Sequence, residues 1–161
     1  MKVIFLDHFG VMCLADKHGI ISNPDAAPRY NEMRIHGYFD NFDSGAVDIL
    51  NSITKETGAE IVISSDWKYW CEIDKMREFY LSQGIVKIPI WYTNSIVGEH
   101  DVKILRAAEI LKYLETNKEI THWVAVDDLF LKGVSNFVWI SRTDEGLKQN
   151  GVKEQILKFL L

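Results

Sequence analysis

The chain has few of the features that would staple it together or hold it in a membrane. Two cysteines, Cys13 and Cys71, stand far apart and fit neither a disulfide framework nor a metal or redox spacing. They read as reduced thiols in or near a core, and a cytoplasmic location is the expectation. Of three prolines, Pro24 and Pro28 share one stretch, which leaves Pro89 alone among the apolar runs. No run approaches the roughly 20 apolar residues of a membrane-spanning helix. The opening Met1-Lys2-Val3-Ile4-Phe5-Leu6 is broken by Asp7 and His8, with no small-residue cleavage site behind it, so neither a signal peptide nor a membrane partner is expected. Basic charge is also short: 18 Lys and Arg face 23 Asp and Glu, a formal net charge of -5. That balance argues against a long nucleic-acid groove and leaves room for a local basic pocket.

What is present is an ordinary globular balance of 47% hydrophobic and 25% charged residues over 161 residues, enough for one domain spanning 1–161 with its own core. Short apolar runs alternate with amphipathic segments. Strands are predicted at Lys2 to Leu6, Glu60 to Ser65, Val86 to Trp91, Trp123 to Val126 and Phe137 to Ile140. Pro89 puts the third of these at a sheet edge. Helices are predicted from Asp43 or Ser44 to Thr57 with Gly58 as the stop, from Ile73 to Ser82, from an Asp101 cap to Glu115, and from Val152 to Leu160. The Asp101 helix is expected to bury Ile104, Ala108, Leu111 and Leu114. This alternation predicts an α/β fold, a Rossmann-like parallel sheet of about five strands with helices on both faces. Residues 13–42 form an irregular insert, long enough to act as a small lid.

In such sheets ligands bind beyond the carboxyl ends of the strands. Three of those ends are polar: Asp7-His8-Phe9-Gly10, Ser64-Ser65-Asp66-Trp67 and Asp127-Asp128. Each alone has a structural explanation, as a turn, a helix cap or a solvated loop. Together they point to one shared crevice. Carboxylates are hard ligands suited to Mg²⁺, and a carboxylate can also attack phosphorus to give an aspartyl-phosphate. Serine hydroxyls would hold phosphoryl oxygens, and a basic side chain, Lys103 or Arg106, would offset the charge gathered there. Trp67, Trp70, Trp91 and Tyr92 are candidates to stack on a base, although packing explains at least two of them.

The motifs resemble those of the haloacid dehalogenase-like (HAD) phosphohydrolase superfamily. Phe5-Leu6-Asp7-His8-Phe9-Gly10-Val11 is similar to its first motif, Ile61-Val62-Ile63-Ser64-Ser65 to its second, and Val124-Ala125-Val126-Asp127-Asp128 to its fourth. A narrower resemblance is to the small HAD domains of Swiss-army-knife RNA-repair proteins. It rests on Gly58 to Lys68, on Arg106-Ala107-Ala108-Glu109-Ile110 and on Arg142-Thr143-Asp144 with Gly146-Leu147, and so spans nearly the whole chain. The resemblance implies Asp7 as nucleophile and metal ligand, with the Phe9 backbone carbonyl and Asp127 or Asp128 as further ligands of Mg²⁺. It implies Ser64, ahead of Ser65, for the phosphoryl oxygens, and Arg106, ahead of Lys103, as the basic residue. His8, Gly10, Ser65 and Trp67 are candidate substrate contacts beside these.

One position departs from the pattern. The superfamily's phosphatases carry a second Asp two residues after the nucleophile as general acid and base, and here that residue is Phe9. A backbone carbonyl survives the change, but a proton donor worth about 10²–10⁴-fold does not. The first expectation is a Mg²⁺-dependent phosphohydrolase or phosphotransferase acting on a small or terminal phosphate, such as a nucleotide or an RNA or DNA end. A weakened relative that binds a phosphorylated ligand or a protein partner is the second, and a metal-independent hydrolase of the dehalogenase kind the third. Oligomeric state is left open.

Overall fold

The computed structural model describes residues 1–16, 41–98 and 101–161. The expectation of a lid over 13–42 therefore falls mostly outside the described residues. Strands β1 (Lys2–Leu6), β2 (Glu60–Ile63), β3 (Trp91–Tyr92), β4 (His122–Asp127) and β5 (Phe137–Trp139) form one sheet in the order β3-β2-β1-β4-β5. Every neighbouring pair is parallel. Helices α1 (Ser44–Thr57), α2 (Ile73–Ser82), α3 (Val102–Thr116) and α4 (Val152–Leu160) supply the crossovers and the closing element. The expected Rossmann-like α/β fold is present.

Strand periodicity divides the core in two. Ile4, Leu6, Ile61, Ile63, Val124 and Val126 face one side, where they meet α1, α2 and α4 through Leu50, Phe79 and Ile156. Val3, Phe5, Val62 and Ala125 face the other, where they meet Ala107, Ile110 and Tyr113 of α3. Each fully buried aliphatic side chain contributes about 1.5–3 kcal/mol, so both layers hold the central strands firmly. Helix α1 begins where Asp43 accepts the Ala46 N–H at 3.0 Å and ends at Gly58, whose φ of 70° only glycine adopts freely. Among the described residues no helix is long and apolar enough to cross a membrane.

Two predicted elements differ. The strand expected over Val86 to Trp91 shrinks to Trp91–Tyr92, although it does lie at the sheet edge. Just before it, Arg77 donates to the carbonyls of Pro89 at 2.9 Å and Ile90 at 2.7 Å, while the Ile90 N–H still donates to Ile61 O at 2.8 Å. Helix α3 is turned about its axis from the predicted face. It buries Arg106, Ala107, Glu109, Ile110 and Tyr113, while Ile104 stays 59% exposed. Buried charged partners, described below, set that rotation.

Candidate active site

Parallel register brings the polar strand exits to one level. Leu6 pairs with Ile63 on one side and Val126 on the other, so Asp7, Ser64 and Asp127 leave the sheet side by side. The backbone bonds run one step further, from Ser64 N to Leu6 O at 3.0 Å and from Asp7 N to Val126 O at 3.1 Å. Carboxylate oxygens of Asp7, Asp127 and Asp128 consequently lie within 4.8 Å of one another.

Helix α3 sends Arg106 into this cluster. Its Nη1 stands 3.2 Å from Asp7 Oδ1 and 3.1 Å from Asp127 Oδ2, and its Nη2 stands 3.3 Å from Asp66 Oδ1. One guanidinium cannot balance three clustered carboxylates. Burial, then the neighbouring Asp127, raises the Asp7 pKa well above the usual carboxylate range despite the opposing pull of Arg106. Burial pushes Asp127 up to about 7, against the same pull. Asp128 is raised too, first by burial. Burial alone would lower Arg106, but Asp7, Asp127 and Asp66 outweigh it and hold the guanidinium above its ordinary value. A set of hard oxygen donors with uncompensated charge is what a divalent cation such as Mg²⁺ fits.

A cleft of about 290 Å³ opens over the cluster, and Asp7, Ser65, Asp66, Arg106 and Asp128 line it opposite an apolar wall of Phe9, Trp70, Val102 and Leu129. Phe9 thus stands at the cleft. Its carbonyl accepts none of the backbone bonds that close its loop; Val11, Met12 and Cys13 all donate to His8 O instead. Gly10 brings this loop against Asp128. Its φ is +74°, and a Cβ there would meet Asp128 Oδ2 and the Thr143 methyl at 2.8 Å each.

Several expected site residues lie elsewhere. Lys103 is exposed and lines a separate hollow with Asp101, Ile104 and Phe130, which leaves Arg106 as the base that reaches Asp7. Ser65 lines the cleft and caps the following 3₁₀ turn (Asp66–Tyr69), accepting the Trp67 N–H at 3.2 Å. Ser64 is buried, and its Oγ has no hydrogen-bond partner among the described residues. His8 and Trp67 point inward and do not line the cleft: both are fully buried and stack on each other at 4.1 Å, with His8 Nε2 2.8 Å from the Tyr80 hydroxyl. Burial and Arg106 together lower the His8 pKa well below its usual value, which keeps the ring neutral. Strand alternation explains the pair, because the residue after Asp7 turns to the opposite face of the sheet. Of the aromatic candidates, Trp70 lines the cleft and Trp91 lies at the exposed sheet edge.

Sequence reasoning missed the contact of Asp66 with Arg106 and an ion pair one helical turn along α3. There Lys68 Nζ meets Glu109 Oε2 at 2.5 Å, both side chains nearly buried, while Thr93 Oγ1 accepts from Lys68 at 3.3 Å and Glu109 accepts the Ile96 N–H at 3.2 Å. The spacing of Arg106 and Glu109, three apart on one helix face, is the signal that would have found it.

No curated protein and no solved structure matches the chain. The family described as HAD domain in Swiss Army Knife RNA repair proteins matches residues 3–152, a span that lacks only the first residue of β1 among the five strands and holds every acidic residue of the cleft. With a Rossmann-like sheet that sets an acidic first-strand exit beside an acidic fourth, the chain belongs to the HAD domains found in Swiss Army Knife RNA repair proteins.

Proposed function

We propose that the protein is a Mg²⁺-dependent phosphohydrolase or phosphotransferase in which Asp7 takes up the phosphoryl group of a small or terminal phosphate, such as a nucleotide or an RNA end. The observation that carries this reading is the three-carboxylate cluster within 4.8 Å, with one guanidinium between Asp7 and Asp127. Carboxylates so placed repel one another unless a cation joins them, which favours the metal-dependent reading over a dehalogenase-type site.

Asp7, Asp127, Asp128 and the Phe9 carbonyl would hold the ion. When bound, it supplies positive charge that brings Asp7 into its ionised form and offsets the charge of a phosphate. The remaining work falls to the chain. An Asp7 oxygen attacks phosphorus, the bond to the leaving group breaks, and an aspartyl-phosphate forms. Arg106 orients the Asp7 carboxylate and screens the charge that builds on the phosphoryl oxygens. Ser65 and backbone N–H groups at the strand exits bind those oxygens. The Phe9 and Trp70 rings, inclined to each other at 61°, give apolar contact for a base, in keeping with an RNA-repair family.

Turnover of p-nitrophenyl phosphate with Mg²⁺, together with a panel of nucleotides and 5′- or 3′-phosphorylated oligonucleotides, tests the reading. Asp7→Asn is expected to abolish turnover, and retention of activity in that variant would overturn it. Phe9 favours a second reading, a phosphate-binding relative without chemistry. Vanadate binding by a protein that turns over none of these substrates would establish that one.

A further inference from the structure

Hydrolysis of an acyl phosphate by water needs a proton acceptor beside the phosphorus. Phe9 provides none, and His8 is fully buried against Trp67, outside the cleft lining, with its Nε2 engaged by Tyr80. Asp7 itself carries the phosphoryl group, and Asp127 and Asp128 belong to the oxygen cluster around it.

Asp66 remains, and its placement differs from theirs. Its side chain is 61% exposed, against 5% for Asp7 and 1% for Asp127. It lines the same cleft as Asp7 and lies outside the three-carboxylate group. One planar guanidinium spans the two residues, Nη1 at 3.2 Å from Asp7 and Nη2 at 3.3 Å from Asp66. The turn that carries Asp66 is held on both sides, by Ser65 Oγ capping Trp67 N and by the fully buried Trp67 ring. Asp66 is thus a carboxylate tied to the same guanidinium as the nucleophile, on the same cleft, with an open path to solvent.

Resting on the aspartyl-phosphate reading, we propose that Asp66 is the general base of the second half-reaction. It takes a proton from a water in the cleft as the water oxygen bonds to phosphorus. The bond between phosphorus and the Asp7 oxygen breaks, which releases hydrogen phosphate and restores the Asp7 carboxylate. The proton on Asp66 then passes to bulk water, and Arg106 keeps the two carboxylates in register throughout.

Rapid-quench kinetics on p-nitrophenyl phosphate with Mg²⁺ separates the halves. Asp66→Asn is expected to release about one enzyme equivalent of p-nitrophenolate in a burst and then turn over about 10²–10⁴-fold more slowly than the parent. Phosphate is expected to accumulate on Asp7, detected as a hydroxylamine-labile label by mass spectrometry. Formate added to Asp66→Ala is expected to restore part of the steady-state rate, a response that a merely structural role would not give. Equal losses of burst and steady state, an unchanged steady state, or no formate effect would each overturn the assignment of Asp66 and leave Asp7 as the nucleophile. Turnover by Asp7→Asn, or a parent enzyme never labelled on Asp7, would instead remove the aspartyl-phosphate and this proposal with it.

Discussion

Helix α3 carries two buried charge clusters one turn apart, and they are built on different balances. At Lys68 and Glu109 one cation meets one anion, and a threonine hydroxyl and a backbone N–H fill further bonds. At Arg106 one guanidinium faces Asp7, Asp127 and Asp66, with Asp128 beside them. The first cluster is complete in the chain alone. The second sets four carboxylates against one guanidinium, a balance that suits a cation. Buried charge by itself does not mark a site; its surplus does.

The largest expected effects break this comparison directly. Removing either cation strands buried carboxylates, so Arg106→Leu and Lys68→Met should each cost about 3–5 kcal/mol in denaturant unfolding. Mg²⁺ is expected to restore part of the loss in Arg106→Leu and none in Lys68→Met. Equal rescue, or none in either, would erase the distinction between the clusters.

A somewhat smaller effect tests the helix rotation those clusters impose. Ile110→Ala, at a fully buried position, should cost about 2–5 kcal/mol. Ile104→Ala, at 59% exposure, should stay within about 0.5 kcal/mol. Comparable losses in thermal melts would put α3 back in the phase its aliphatic pattern suggests.

The smallest expected effect sharpens the surplus itself. Asp127 has its pKa raised from 3.8 to about 7, so between those values the metal-free folded state binds more protons than the unfolded chain. Its contribution is full below pH 3.8 and is lost as pH rises through about 7. Metal-free protein should therefore lose about 1 kcal/mol or more between pH 5 and pH 8. Saturating Mg²⁺ should flatten or invert that slope, and a metal-free slope that rises with pH would contradict the charge surplus.

Much of this architecture is legible in the sequence. Strands β1, β4 and β5 and helices α1, α2 and α4 follow from apolar runs, an Asp43 cap and the Gly58 stop, all local signals. The carboxylates at the strand exits could be read because parallel sheets put such exits on one edge. What escaped depended on contacts distant in sequence. Arg77 reaches Pro89 and Ile90 beside the short β3, and on α3 Arg106 and Glu109 reach partners across the fold from the buried face. His8 and Trp67 looked like site residues by adjacency, yet alternation along one strand and a tight turn after another drew them inward together. The family resemblance put Arg106 ahead of Lys103, and the helix places Arg106 against Asp7 while Lys103 lines a separate hollow.

The pairing of β1 with both neighbours in fixed register ties the geometry of the cleft to the packing of the frame. A one-residue slip of β1 would swing Val3 and Phe5 into the wrong layer and, in the same movement, carry Asp7 out of line with Asp127. The register that keeps this core dry therefore also keeps the exits of β1 and β4 level, so packing and site geometry fail together.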